Sequence, residues 1–249
     1  MRIFLKSIIP PSSWLFKFLS KQYRSLFKIW LPEKKQLNVI LKKYAVLYPN
    51  VFFIQIGSND GVSNDPIYDY VIQYKWRGIL VEPVKSLFDK LQSNYLNNNQ
   101  LFFENAAIAE KDGTAIFYRL RETNNPNTPA WYNQIGSFNK QVLLSHKDTD
   151  DFENLIIEEA INTISFASLI KKYVVNKVDL VHIDTEGYDF EILKLIDFEK
   201  LDLSIVIFEY VHLSVSDFAK SLKLMKSNGF EVFTSNLDIV CVKKTLKLL

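Results

Sequence analysis

The chain has 249 residues, 48% of them hydrophobic, and a formal net charge of +2. That is enough to bury one good core and carry one extra segment, so a single catalytic domain is the default expectation. The lone cysteine, Cys241, excludes an internal disulfide framework and any metal site built on a cysteine pair, which fits a reducing, cytoplasmic setting.

The charge is unevenly spread. Residues 1–50 carry ten Lys and Arg against the single acid Glu33, interleaved with Phe4, Trp14, Phe16, Phe18, Tyr23, Phe27 and Trp30. This mixture suits a helix lying at an anionic bilayer surface, and also a helix docked on its own domain. Pro10-Pro11 and Leu31-Pro32 punctuate the segment, predicting helices over about 13–30 and 33–48. No apolar run approaches the roughly 20 residues that span a bilayer. Residues 1–50 are therefore read as a basic, aromatic helical extension with possible peripheral membrane contact at the inner surface, and 51–249 as the catalytic domain.

From Val51 the pattern changes to short apolar runs: 51–56, 78–81, 101–103 with 106–109, 178–183 and 203–208. Spacers long enough for crossover helices separate them, which predicts a parallel sheet with right-handed connections. The last two runs, 230–234 and 239–242, are joined by only Ser235-Asn236-Leu237-Asp238, too short for a parallel crossover, so a terminal antiparallel hairpin follows. The expected fold is α/β: a Rossmann-like class I methyltransferase sheet, mostly parallel with that terminal hairpin, plus the N-terminal helical extension. Residues 121–128 read as a surface loop and 137–146 as a helical lid.

The first strand opens into Gly57-Ser58-Asn59-Asp60-Gly61, at the carboxyl end where open sheets bind ligands. The spacing is neither the Gly-x-Gly-x-x-Gly of dinucleotide sites nor a phosphate-binding P-loop. Asp60 would repel a pyrophosphate but could pair with the ammonium or sulfonium of S-adenosylmethionine. Glu82, before Pro83 at the end of the second strand, is placed to accept the two ribose hydroxyls, or else is a solvated strand-end acid. Asn105 and Ala106 leave room for an adenine and can bond its edge, or are ordinary packing. Gly57, Ser58, Asn59, Asp60, Gly61, Glu82, Asn105, Ala106 and Asp184 form the candidate cofactor set.

Together with Asp184-Thr185-Glu186-Gly187 leading into Asp189-Phe190-Glu191-Ile192-Leu193, and the run 205–213, these residues resemble the FkbM-type methyltransferase family over about 51–243. The resemblance implies methyl transfer from S-adenosylmethionine, commonly to a hydroxyl of a sugar, lipid or secondary metabolite. Two departures stand out: His182 where many relatives have lysine, and Gly-Ser-Asn-Asp-Gly in place of the commoner Gly-Ala-Asn-x-Gly.

Methyl transfer to a hydroxyl needs positioning and a way to remove the proton. His182, Asp184, Glu209 and His212 are the catalytic candidates, and three readings fit them. His212 or His182 is a general base oriented by Glu209 or Asp184; or Asp184, Glu186, Glu209 and a histidine ligate a divalent cation; or Asp184 and Glu186 cap the following helix while His212 packs. The cation reading is not favoured, and no metal ligand is assigned. His146 is read as a surface histidine, Trp131 and Tyr132 as an aromatic wall or packing anchors, and Phe88, Tyr95, Phe190 and Leu193 as core. Rival functions are a nicotinamide-dependent oxidoreductase, which the turn spacing opposes, and an inactive binding or membrane-adaptor protein. The basic residues cluster away from the presumed site and no Asn-Pro-Pro-Tyr motif occurs, so the expected partner is a small-molecule or glycan acceptor and not a nucleic acid.

Overall fold

The computed structural model describes residues 37–122, 129–147 and 150–246. The expected helix over 13–30 and most of the loop at 121–128 lie outside the described residues. The described chain begins with α1 (Leu37–Leu47), then β1 (Phe52–Ile56), α2 (Tyr68–Tyr74), β2 (Arg77–Val81), α3 (Lys85–Asn94) and β3 (Leu101–Glu104). A second group follows: β4 (Ala107–Ile108), β5 (Gly113–Leu120), a 3₁₀ turn over Ala130–Gln134, β6 (Gly136–Ser137), α4 (Lys140–Leu144) and β7 (Ile156–Ile164). The chain then returns through α5 (Phe166–Lys172), β8 (Leu180–Ile183), α6 (Asp189–Leu195), β9 (Ile205–Glu209), α7 (Val215–Ser227), β10 (Phe230–Ser235) and β11 (Asp238–Lys243).

The main sheet has seven strands in the order β10-β11-β9-β8-β1-β2-β3. Pairings from β9 to β3 are all parallel, and β11 runs antiparallel to both β9 and β10. The mostly parallel Rossmann-like sheet with its terminal hairpin is therefore present. Its central strands are covered on both faces, so β8 and β9 are buried along their whole length and read as continuous apolar runs rather than alternating ones.

Two features depart from expectation. The run 101–109 is two strands in different sheets: β3 pairs with β2, whereas β4 pairs with β7 in a four-stranded sheet ordered β4-β7-β5-β6. Asn105 sits at the crossing, and its Nδ2 donates to the carbonyls of Glu82 (2.8 Å) and Pro83 (3.1 Å), fixing the step between sheets. Secondly, a boundary at residue 50 separates α1 from the core it belongs to. Ile40, Leu41, Tyr44 and Ala45 are buried in one cluster with Phe53, Leu80 and Val240. Tyr44 Oη also donates to Asp179, whose other oxygen accepts from Phe52 N.

Among the described residues, no helix is long and apolar enough to cross a membrane.

Candidate active site

The strand order reverses between β1 and β8, the place where open α/β sheets bind ligands. There the carboxyl ends of β1, β2, β8 and β9 line a cavity of about 490 Å³, in the size range of small-molecule sites. Gly57 has φ +78°, and a Cβ on it would stand 1.8 Å from the carbonyl oxygen of Asp184. Only glycine lets the two loops meet this closely. Gly57 N and Ser58 N both donate to Val81 O, and Asp184 N donates to Ile56 O, so three strand ends are tied at one point.

Glu82 is 4% exposed and lines the cavity. Its Oε2 accepts from Asn59 N and its Oε1 from Val84 N, both at 2.9 Å. A carboxylate offers about four acceptor positions, so each oxygen retains capacity for a ligand. Burial raises its carboxyl to about 7 against those two backbone bonds, which pull it down.

Ser58, Asn59, Ala106, His182, Asp184, Glu209 and His212 also line the cavity; Asp60, Gly61 and Asn105 are outside this lining. Asp60 is turned onto its own loop, accepting from Val62 N, Ser63 N and Ser63 Oγ. Although burial opposes it, these donors hold its carboxyl below the ordinary range. The helix α3 then clamps the turn, Asn94 Nδ2 on Asp60 O and Tyr95 Oη on Gly61 O. These three residues shape the site without facing the cavity.

His182 is 3% exposed, and burial lowers its pKa to about 4, keeping the imidazole neutral. Its Nδ1 lies 3.1 Å from Gln55 Nε2, which also donates to Asp65 Oδ2. An amide nitrogen only donates, so Nδ1 accepts and the ring proton sits on Nε2. His182 is thereby set as a donor, with Gln55 rather than Asp184 or Glu209 orienting its ring.

Asp184-Thr185-Glu186-Gly187 forms a turn in which Glu186 (φ 51°) and Gly187 (φ 95°) are both left-handed. A non-glycine residue held there costs on the order of 1–3 kcal/mol, a kind of outlier that concentrates at functional sites. Asp184 and Glu186 do not cap α6: its N-cap is Tyr188, with no side-chain cap. Asp189, fully buried, does the tying. Its Oδ2 accepts from Thr185 Oγ1 and Gly187 N, and its Oδ1 from Glu209 N.

Glu186 meets two imidazoles. Its Oε2 is 3.0 Å from His212 Nε2 and 3.3 Å from His146 Nε2, and the two rings lie 4.7 Å apart. Glu209 Oε2 is 3.8 Å from His212 Nε2. Burial alone would raise Glu186, but the paired imidazoles pull its carboxyl down to about 2. Glu209 goes the other way. Burial first, and then the neighbouring carboxylates, push it well above the usual range.

His146 is thus part of the cluster and not a surface residue. It arrives on residues 129–147, which cross the cavity mouth. Asn59 Nδ2 donates to Gln134 O and Ser137 Oγ to Glu186 O, pinning this segment to both loops. Trp131 lines the cavity and packs on His146, whereas Tyr132 is buried against Phe152. Nothing local marks His146, since it reaches Glu186 across 40 residues of chain. Asp189 does carry a cue, an acid placed where the helix pattern demands a buried residue.

No curated protein matches the chain. Similar solved structures include the FkbM methyltransferase from Methylobacillus flagellatus KT, 12% identical, with 78% of this chain and 44% of that one covered and a TM-score of 0.46. The ribosomal protein L11 methylase from Lactobacillus delbrueckii subsp. bulgaricus is 10% identical, with 82% and 74% covered and a TM-score of 0.40. An RNA methyltransferase from Salinibacter ruber, in complex with S-adenosyl-L-homocysteine, is 11% identical, with 84% and 90% covered and a TM-score of 0.37. Residues 55–232 match the family model of the Methyltransferase FkbM domain. That stretch is well over half the chain and runs from β1 to β10, including all but Leu237 of the cavity lining, and on it the chain belongs to the FkbM methyltransferase family.

Proposed function

We propose that the protein transfers the methyl group of S-adenosylmethionine to a hydroxyl oxygen of a small-molecule or glycan acceptor, in the cytoplasm. The observation that carries the cofactor half is Glu82: a buried acid at the end of β2, braced by two backbone N–H groups and lining the cavity. Its spare lone pairs suit a ribose diol. Ala106, Ala107 and Ile108 supply an apolar wall for a purine beside it. The absence of any phosphate-binding loop fits a cofactor without phosphates.

S-adenosylmethionine supplies an electrophilic methyl on a cationic sulfur when bound. The remaining work falls to residues of this chain. Asp184 opens on the cavity beside the Gly57 turn and offers a carboxylate to a cationic group. His182, neutral and protonated on Nε2, offers a donor. The cluster of Glu186, His212, His146 and Glu209 is the destination for the acceptor's proton, and Trp131 flanks it with an apolar face for a sugar or lipid. A hydroxyl acceptor suits a cluster of carboxylates and imidazoles because a hydroxyl must lose its proton as the methyl arrives, and these groups can take it. Residues 1–50, basic and aromatic, suit a peripheral contact with an anionic membrane.

Titration calorimetry with S-adenosylhomocysteine tests this reading. Glu82→Ala, which loses one or two charge-assisted bonds, should bind about 10–150-fold more weakly. Equal affinity in a folded variant would remove the ribose assignment.

A further inference from the structure

We propose that His146, Glu186 and His212 bind a divalent transition-metal ion at the mouth of the cavity. Among the described residues these three place one ligand atom each within 4.8 Å of one another. Metal–ligand bonds of about 2.0–2.2 Å set two ligands of one tetrahedral or octahedral sphere about 2.9–3.5 Å apart. The separations of Glu186 Oε2 from the two Nε2 atoms, 3.0 and 3.3 Å, fall in that window.

The same separations would also suit hydrogen bonds, but that alternative leaves the site unsatisfied. His146 Nε2, Glu186 Oε2 and Glu209 Oε2 are buried with no hydrogen-bond partner, a state that is unfavourable for each group. Glu209 is 9% exposed, and its free oxygen stands 3.8 Å from His212 Nε2. A cation held by the triad would satisfy His146 Nε2 and Glu186 Oε2 together, with Glu209 beside it next to His212. Two imidazoles with carboxylates select zinc, manganese, cobalt or ferrous iron over magnesium or calcium, which prefer oxygen-only shells. The ligand set differs from one built on Asp184, because Asp184 sits at the Gly57 turn rather than in this triad.

The ion binding rests on this geometry alone. Its bearing on catalysis, as a place for the acceptor's oxygen, rests on the methyl-transfer reading above.

The test is a titration of the full-length, chelator-treated protein with Co²⁺, followed by its d–d absorption bands, with a parallel titration of S-adenosylhomocysteine. One equivalent of cobalt should bind with bands of nitrogen–oxygen coordination, and magnesium should not compete. His146→Gln and His212→Gln should each weaken binding by more than about 100-fold, beyond the 10–100-fold that outer-shell changes cost. His146 comes from the segment over the cavity, so its variant answers the question even where Glu186→Gln disturbs the strained turn, with circular dichroism confirming the fold. Absence of saturable cobalt binding, or undiminished binding in the His146→Gln/His212→Gln double variant, overturns the proposal. Cobalt binding without S-adenosylhomocysteine binding leaves the metal site standing and removes the methyl-transfer reading; the reverse result does the opposite.

Discussion

Asp189 shows how one side chain can organise two loops that flank the cavity. Its carboxylate accepts from Thr185 and Gly187 on the β8 side and from Glu209 on the β9 side, and it is fully buried. Asp189→Ala removes all three acceptor contacts and leaves the two backbone donors unpaired in the interior. A loss of about 2–5 kcal/mol is expected, read by urea denaturation, with Asp189→Asn costing less because it keeps one acceptor oxygen. An alanine variant as stable as the parent would mean that the loops hold themselves. Little of this was legible beforehand. Glu82 and the Gly57 turn stand out in the sequence because strand ends announce themselves by an apolar run that stops. Asp60 and Asn105 carry the same local signature yet face away from the cavity, since their direction is decided by α3 and by the step between sheets.

At the level of elements, the parallel strands were readable because burial on both faces leaves long apolar runs. The second sheet was not. In β5 and β7 most positions are exposed or half-buried, and neither a clean alternation nor an apolar run survives. The helix α1 was legible as a helix, but its allegiance was not, because basic and aromatic residues suit both a bilayer and a protein core. Its packing yields a sharp expectation. Leu41 is fully buried, so Leu41→Ala should destabilise the catalytic domain by about 2–5 kcal/mol. Since a domain of this size loses roughly 2–4 °C per kcal/mol, the melting temperature should drop by several degrees. An unchanged melting temperature would return α1 to the extension.

For the whole molecule, the acid-rich mouth couples stability to pH. Burial raises Glu82 and Asp238 to about 7 in the folded state, well above the usual carboxylate range of the unfolded chain. The folded protein therefore holds protons that the unfolded chain has already lost, and stability declines as pH rises through 7. His182 has the opposite sense, its folded value near 4 lying below its unfolded one. Its contribution is complete above about 6.5, the unfolded value, so from pH 6.5 to 8 the acids decide. Calorimetric scans should show a melting temperature several degrees lower at pH 8 than at pH 6.5. A rise over that interval would mean that these carboxylates are already ionised in the fold. The central claim is that Glu82 and the Gly57 turn hold the adenosine end of S-adenosylmethionine, and calorimetric titration with S-adenosylhomocysteine tests it most directly. Micromolar binding that Glu82→Ala weakens at least about 10-fold is the predicted result; no binding by the folded protein would contradict it.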